Sequence, residues 1–460
     1  DGTFLPEGWE LGSGLLASGF SGKAWLSAPR LDGAGFGEIS LKTDAFLNSD
    51  YTGKIEFRGD VQLSAARSIT LDSPTFAWSK VEGGVENKVT LNAPYLALGS
   101  TQSRIDALGS DSAPRLAPDA SGGDARFEAN AQLIDLIGGS SYSGFGNVSL
   151  NSAGDIRALG IRTRSDTKDF LGTLNVEGVL QLKGAQVYPA TLSNYTINVS
   201  GSDAKLIVER STDQDPKTPL SAGGSITLNA AQIEQSGVLQ APFGQLHLNA
   251  SEQLTLTEKS VTSVSGQGLT VPFGQGSGGL NWLFPLDASG ANNRVITAPV
   301  EKQIQLSSKN IDLQKGSSIN LSGGGDLEAF EFVPGPGGSQ DVLASASRDG
   351  ARQFAIVRGL YTPATPYDPS QFNGAGIQMG DSVYLSKSPG LKAGWYTLLP
   401  AHYALLPGAF LVSPVAGTQD FQPTQRYRDP SGATVVAGRF GVAGTELVDS
   451  RWQGFSVENS

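Results

Sequence analysis

The feature that most constrains the fold is a short phrase that recurs along the chain. It reads apolar, polar, leucine or another apolar residue, polar, small. Because apolar and polar residues alternate within each copy, each copy predicts a β-strand with one buried face. No long segment has apolar residues at helical spacing, so the chain is predicted to be all-β. Clear copies are Ile69–Ser73, Val89–Ala93, Val148–Ser152, Ile226–Ala230, Leu246–Ala250 and Ile319–Gly323.

The spacing of the copies predicts how the strands are arranged. Ile69 and Val89 are 20 residues apart, and so are Ile226 and Leu246 and the pair formed by Leu206 with Ile226. A single coil of this length cannot bury its own inward face, but stacked coils share one core. We therefore predict a right-handed parallel β-helix, a solenoid. A β-sandwich or barrel is the alternative, and it would need hairpin turns about every ten residues.

Asparagine or serine often follows the second apolar residue of the phrase. Asn229, Asn249 and Asn151 are examples. Asparagine tolerates turn conformations and bonds to neighbouring groups, so these side chains are predicted to form ladders at the corners of stacked coils.

The phrase also divides the chain. Residues 1–345 are predicted to be the β-helix stalk, with loop excursions at about 108–123, 209–219 and 266–297. Beyond residue 345 the phrase is absent and aromatic residues become frequent. Residues 346–460 are therefore predicted to be a smaller β-rich C-terminal module that covers the end of the stack or packs along its side.

Composition excludes several classes of protein. Cysteine is absent, which excludes disulfides and thiolate metal sites and suits a protein that is exported through a membrane. The formal net charge of -11 argues against nucleic acid as a partner. No apolar run is long enough for a transmembrane segment. We predict no cofactor and no metal site.

Three longer stretches resemble a known family. They are Gly223–Gly244, Gly316–Ser339 and Gly394–Gly408. Together they are similar to filamentous-haemagglutinin-like exoproteins, the passengers of bacterial two-partner secretion, with their C-terminal domain of unknown function. The resemblance implies a right-handed β-helix, export by an outer-membrane partner transporter, and a location outside the cell or on the bacterial cell surface. Since the chain opens on Asp1 without a leader, we expect it to be a piece of a longer protein.

The expected function is adhesion rather than catalysis. We predict a monomeric stalk of a secreted or cell-surface adhesin that binds a carbohydrate or protein receptor on a host surface, on matrix polysaccharide or on other cells. Such an adhesin serves virulence or biofilm formation. One alternative is a β-helical polysaccharide lyase or hydrolase. Its carboxylates would come from Asp106, Asp135, Asp155, Asp213 and Asp215, which share no phase of the repeat. A passive scaffold that presents a toxin or effector is the other alternative.

Candidate binding residues are mostly aromatic. Aromatic rings can stack on sugars, although the same rings can also form the core of a small β-domain. A separate candidate is the integrin-type triplet Arg58, Gly59 and Asp60. Alternation of apolar residues from Ile55 to Leu63 predicts that this triplet lies in the middle of a strand, which disfavours receptor binding. We predict no catalytic residue. The aromatic candidates are Trp282, Trp395, Tyr396, Tyr403 and Trp452.

Overall fold

A computed structural model describes most of the chain, and nearly all of what it describes is β-strand. The described residues are 24–43, 53–81, 86–102, 116–162, 169–286, 292–333, 335–338, 343, 353–360, 381–430, 432–441 and 448–459, together with the backbone of 46–47 and 50–51. Within these ranges there are two helices, α1 at Ala28–Gly33 and a 3-10 turn at Ala401–Leu405. Neither helix has the length and hydropathy needed to cross a membrane.

The strands follow in chain order. The first group is β1 Glu38–Lys42, β2 Phe46–Leu47, β3 Asp50–Tyr51, β4 Ile55–Arg58, β5 Val61–Ser64, β6 Ser68–Asp72, β7 Thr75–Ser79, β8 Lys88–Asn92, β9 Tyr95–Ser100, β10 Ser121–Ala131, β11 Leu133–Ser152, β12 Ile156–Leu159, β13 Ile161–Arg162, β14 Phe170–Gly184, β15 Val187–Pro189, β16 Ser193–Arg210, β17 Ser225–Ser236, β18 Val238–Gln240, β19 Gln245–Leu256 and β20 Val261–Ser263. The second group is β21 Thr270–Ser277, β22 Asn281–Pro285, β23 Asn293–Ile296, β24 Gln303–Ser307, β25 Asn310–Leu313, β26 Ser318–Asn320, β27 Asp326–Phe330, β28 Phe354–Val357, β29 Ser382–Leu385, β30 Gly394–Thr397, β31 Ala409–Pro414, β32 Arg426–Arg428, β33 Thr434–Gly441 and β34 Gln453–Asn459.

One large sheet of 21 strands dominates the fold and curls on itself. It contains three parallel ladders. The first is β1, β6, β9, β11, β12, β15, β18, β20 and β26, the second β4, β7, β11, β14, β16, β17, β19 and β24, and the third β5, β8, β10, β11, β14, β16, β17, β19 and β25. Long strands join two ladders: β16 breaks its register between Asn198 and Lys205 and continues in the third ladder.

The core of this sheet lies inside the curl. Side chains at alternate positions point inward, and equivalent positions of successive strands lie one above another. In the third ladder one such row is Phe127, Val148, Leu180, Leu206, Ile233 and Leu254, each at most 1% exposed. The prediction of an all-β chain is confirmed.

The spacing of 20 residues identifies only some of the neighbours. Ile226 and Leu246 are paired directly, as predicted. Ile69 and Val89 are not neighbours, because they belong to the first and third ladders, and Leu206 lies in the third ladder rather than beside Ile226. All three ladders need inward apolar residues at alternate positions, so the same phrase occurs on each of them.

The loop excursions are more ordered than the sequence suggests. Of the excursion at 108–123, residues 108–115 lie outside the described residues, and 121–123 already belong to β10. The excursion at 209–219 begins in the last residues of β16. The third, 266–297, contains β21, β22 and β23, which form a separate four-stranded sheet with β27. These short strands satisfy backbone groups that a plain loop would leave to solvent.

Residues from β28 onward form a seven-stranded antiparallel sheet, consistent with the smaller β-rich module. Most of its own core comes from one face, which includes Val383, Leu385 and Phe455. The boundary at residue 345 stays a prediction, since the described strands on either side of it end at Phe330 and begin at Phe354.

The antiparallel sheet packs along the side of the parallel sheet. A shared core joins Leu192 and Phe243 of the parallel sheet to Leu399 and Tyr403. The Tyr403 hydroxyl also donates a hydrogen bond to the carbonyl oxygen of Leu220 at 3.2 Å. The residues of the parallel part in this contact lie in turns: Leu192 follows β15, Leu220 precedes β17 and Phe243 follows β18.

The two ends of the parallel sheet differ. At the N-terminal end, α1 packs against β5, and Ala28 and Leu31 contact the main core. At the other end, the inward side chains of the last strands are exposed, including Leu313 at 52% and Leu321 at 58%. The described residues therefore cover one end of the core and leave the other accessible.

Candidate functional site

An aromatic cluster lies on the outer face of the antiparallel sheet. Val383 and Leu385 point into the core of that sheet, so Tyr384 between them points to the opposite face. Tyr384 is paired with Trp395 of β30 on one side and with Arg439 of β33 on the other. Trp452, just before β34, completes the cluster.

The four side chains contact one another closely. The Tyr384 ring meets the Trp395 ring edge to face at 5.5 Å and the Trp452 ring edge to face at 5.7 Å between centroids. The Arg439 guanidinium lies over the Trp452 ring, 5.1 Å from its centroid. All four are partly exposed. We call Tyr384, Trp395, Arg439 and Trp452 the aromatic cluster.

Local packing holds these side chains in place. A Cβ atom at Gly441 would lie 2.9 Å from Trp395 Cζ3, so the absence of a side chain there makes room for the ring. The Nε atom of Arg439 is buried and has no hydrogen-bond partner within the described part of the chain. The cluster thus offers apolar ring surface next to a cation, a combination suited to a ligand with both C–H faces and hydroxyl groups.

Of the five predicted aromatic residues, the structure brings two together and places three elsewhere. Trp395 and Trp452 belong to the aromatic cluster. Tyr396 is 7% exposed and Tyr403 is 2% exposed, and both lie in cores. Trp282 is partly buried against the shared core, and its Nε1 atom donates to the carbonyl oxygen of Phe273. Burial keeps the rings of Tyr396 and Tyr403 away from solvent, so the geometry gives no support to these two as contact residues.

The Arg58–Gly59–Asp60 triplet lies at a corner and not in the middle of a strand. Arg58 ends β4, and Gly59 takes a φ of 67°, which turns the chain toward β5. The Asp60 carboxylate accepts hydrogen bonds from the backbone N–H groups of Glu86 and Lys88. The Arg58 guanidinium lies over the Trp25 ring at 4.8 Å. Both charged side chains therefore have structural partners, which leaves the integrin interpretation without support from the geometry.

Two of the carboxylates considered for polysaccharide cleavage are buried. Asp135 and Arg157 are 0% exposed and form a two-pronged ion pair, with Nε to Oδ1 at 2.7 Å and Nη2 to Oδ2 at 2.9 Å. The Tyr95 hydroxyl donates to the same carboxylate at 2.7 Å. Asp155 is 2% exposed, and burial raises its pKa to about 6 against the hydrogen bond from Gln186 and the charge of Arg157.

Two of the remaining carboxylates lie on a surface loop, and the third is not among the described residues. Asp213 and Asp215 are exposed on the loop after β16, where Asp215 pairs with Arg210 at 3.1 Å. Asp106 lies outside the described residues. Across the residues that the structure describes, no three His, Asp or Glu side chains converge in a way that could hold a metal ion.

Sequence reasoning missed Arg439 and did not select Tyr384. Tyr384 had a local signal, since it stands between Val383 and Leu385 and must face away from the core that they enter. Arg439 had none, because its neighbours in the cluster come from β29, from β30 and from the segment just before β34.

Comparisons with protein-family models, with curated proteins and with solved structures gave no match to this chain. The resemblance to filamentous-haemagglutinin-like exoproteins therefore stays a prediction that depends on the quoted stretches alone.

Proposed function

We propose that the chain is the stalk and terminal module of a secreted or surface-bound bacterial adhesin, and that the aromatic cluster contacts a carbohydrate receptor. Its resemblance to two-partner secretion exoproteins and the absence of cysteine support export through an outer-membrane transporter. The part of the function that involves binding is supported by the geometry of the cluster.

The proposal includes a finer statement about the fold, that the curled parallel sheet is the wall of a right-handed β-helix. The order of the ladders supports this. Within β11 alone the chain enters the first ladder at Leu133, the second at Gly139 and the third at Asn147. Crossover connections between parallel strands are almost always right-handed, which favours that hand here. A rod of this kind can hold a binding module at a distance from its anchor.

The observation that carries the proposal is the partly exposed row Trp395, Tyr384 and Arg439 with Trp452 beside it. The opposite face of the same sheet supplies its main apolar core, and on the face of the cluster Trp452 packs against a small core of Phe421, Val435 and Ala437. Partly exposed rings next to a cation are typical of surfaces that bind sugars or proteins. A polysaccharide-cleaving enzyme is less well supported, because Asp135 and Asp155 are out of reach of a polymer.

The test is binding of the full chain to an array of immobilised glycans. We expect retention of at least one glycan class and a loss of about tenfold or more in affinity for Trp395→Ala, since a stacked ring contributes on the order of 1 kcal/mol beyond its buried area. Tyr427→Ala is the matched control, because Tyr427 is a 41% exposed aromatic residue of the same sheet outside the cluster.

Two results would overturn the proposal. One is that the folded chain retains no glycan at all. The other is that Trp395→Ala and Tyr427→Ala bind as tightly as the unchanged chain, which would give the rings a structural role only.

A further inference from the structure

The second ladder carries a surface that the aromatic cluster does not explain. In β16, β17 and β19 the inward side chains are buried, in β24 they are partly buried, and in all four strands the outward side chains alternate with them. Every outward side chain in this block is an amide, a hydroxyl or the imidazole of His247, and none is charged with histidine counted as neutral. We call this block the amide–hydroxyl array. It consists of Asn194, Thr196, Asn198, Ser225, Thr227, Asn229, Gln245, His247, Asn249, Gln303, Gln305 and Ser307.

The third ladder of the same coils is built differently. Its outward positions include Lys205, Glu209, Glu234 and Asp312. Lys205 and Glu234 form an ion pair at 2.8 Å. Since charged pairs occupy one open face, stacking of coils does not itself require an uncharged face. The outward positions of the first ladder in these coils are uncharged as well, but several of them are buried, such as Gln240 and Ser263.

The array is held rigid by its own hydrogen bonds. The Asn229 amide donates to Asn198 at 2.8 Å, and the Asn249 amide donates to Asn229 at 3.0 Å. His247 lies within hydrogen-bond distance of Gln245 at 3.2 Å and of Gln305 at 3.1 Å. An asparagine side chain has two donor hydrogens and two acceptor lone pairs, so an asparagine inside the ladder keeps one of each for a ligand.

A cleft runs along one edge of the array, where the strands bend into the third ladder. Its volume is about 450 Å³, and its walls are the asparagine row and small residues such as Ala230, Ala250 and Ser251. The cleft is shallow and widely open to solvent, so a polymer chain could lie along it without being enclosed. The small side chains at the bend leave the amides accessible from the side.

We propose that the amide–hydroxyl array and its cleft form a second binding site, which takes an uncharged polysaccharide laid across the coils. Rows of donors and acceptors repeat about every 4.8 Å along the stack and about every 6.7 Å along a strand, a lattice that a polymer with regular hydroxyl groups can contact repeatedly. Each hydrogen bond contributes little, but several on one rigid surface add up. The net charge of -11 disfavours acidic polymers. This site does not depend on the aromatic cluster.

The experiment is affinity electrophoresis of the full chain in gels that contain dextran or mannan, with alginate as the acidic polymer. We expect retardation by a neutral polymer and not by alginate. Thr227 lies between Thr196 and His247 at the centre of the array. Thr227→Asp should weaken retardation about tenfold, because it places a charge among groups suited to hydroxyls. Gln232→Glu adds the same charge to the same coil on the third ladder, beside Lys205, and should change nothing.

Thr227→Val is a second variant, needed because Thr227→Asp could disturb folding. It keeps the β-branched shape, removes only the hydroxyl, and should weaken retardation about threefold. Equal retardation of the unchanged chain and Thr227→Val, or stronger retardation by alginate than by dextran and mannan, would overturn the inference. Trp395→Ala distinguishes the two sites. If retardation is lost for Trp395→Ala but not for the Thr227 variants, the polymer binds at the aromatic cluster and the proposed site at the array is wrong.

Discussion

Single residues on the outward side of the first ladder carry charge where solvent does not reach. Asp155 is the clearest case. Its carboxylate accepts a hydrogen bond from Gln186 at 3.2 Å, and the Gln186 amide also donates to the Lys217 carbonyl oxygen at 3.0 Å. Arg157 is already paired with Asp135, so Asp155 has no cation of its own among these contacts. Burial therefore raises its pKa to about 6.

This shift predicts a pH dependence of stability. A carboxyl whose pKa is about 6 when folded and 3.8 as an isolated group binds its proton more tightly in the folded state. Its contribution to the free energy of unfolding is therefore largest below pH 4 and falls as the pH rises to about 6. Asp155→Asn removes the charge, so we expect the variant to gain up to about 3 kcal/mol relative to the unchanged chain at pH 7.5 and to lose that advantage near pH 4.

Urea unfolding at several pH values between 4 and 8 measures this difference. Asp213→Asn, which neutralises an exposed carboxylate, serves as the control and should follow the unchanged chain closely. If the curves of Asp155→Asn and the unchanged chain stay parallel across this range, the carboxylate is not held at a raised pKa.

The sequence selected aromatic residues as candidates, but it did not show which of them are exposed. Trp395 and Trp452 belong to the cluster, but Tyr396 and Tyr403 do not. Neighbouring residues of a strand point to opposite faces, so the side chains of Trp395 and Tyr396 must lie on opposite faces of the sheet. Which of the two faces is covered depends on what packs against the sheet, and that information is not local.

At the scale of elements, the asparagine ladders connect neighbouring strands through side chains. Asn151 donates to Asn130 at 3.0 Å in the third ladder, and Asn249, Asn229 and Asn198 form a chain in the second. The prediction of ladders is confirmed at these positions. Sequence could anticipate them because asparagine often follows the apolar pair of the phrase, which fixes its register once the strands are parallel.

Position within the ladder predicts the cost of losing a side chain. Asn229→Ala removes two side-chain bonds, to Asn198 and Asn249, and we expect a loss of about 2 kcal/mol in the free energy of unfolding. Asn249→Ala removes one such bond and should cost about half as much. Equilibrium unfolding of the two variants checks this. Equal costs would mean that local strand propensity, and not the ladder, determines the effect.

At the scale of the whole molecule, the antiparallel sheet and the parallel sheet share a core. Ala222 and Phe243 come from the parallel sheet, and Ala404 and Leu411 come from the antiparallel one. Because this core contains residues far apart in sequence, no short segment of the chain reveals it. Tyr403 is buried in this shared core and Tyr396 in the antiparallel sheet's own core, whereas Trp395 and Trp452 stay partly exposed.

Tyr403 tests this interface. Tyr403→Ala removes a ring that is 2% exposed and the hydrogen bond to Leu220, so we expect a loss of about 3 kcal/mol or more in the free energy of unfolding. Tyr427→Ala removes an exposed ring and should cost roughly 0.5 kcal/mol or less. Binding of a hydrophobic dye should rise only for Tyr403→Ala. Similar stability of the two variants would mean that the two sheets do not depend on this contact.

The sequence by itself determined that the chain is all-β, that its strands alternate buried and exposed residues, and that asparagines stack at the corners. These properties follow from residues close together, because alternation and turn chemistry are local. The tertiary structure decided which ladder each copy of the phrase joins, since strands of all three ladders have the same alternation of apolar and polar residues. It also decided that Asp135 and Arg157 are buried, that Tyr384 and Arg439 meet Trp395 and Trp452, and that the last four strands of the second ladder present an uncharged, partly exposed face. Each of these depends on which distant segment covers a surface, and alternation along one strand contains no information about that.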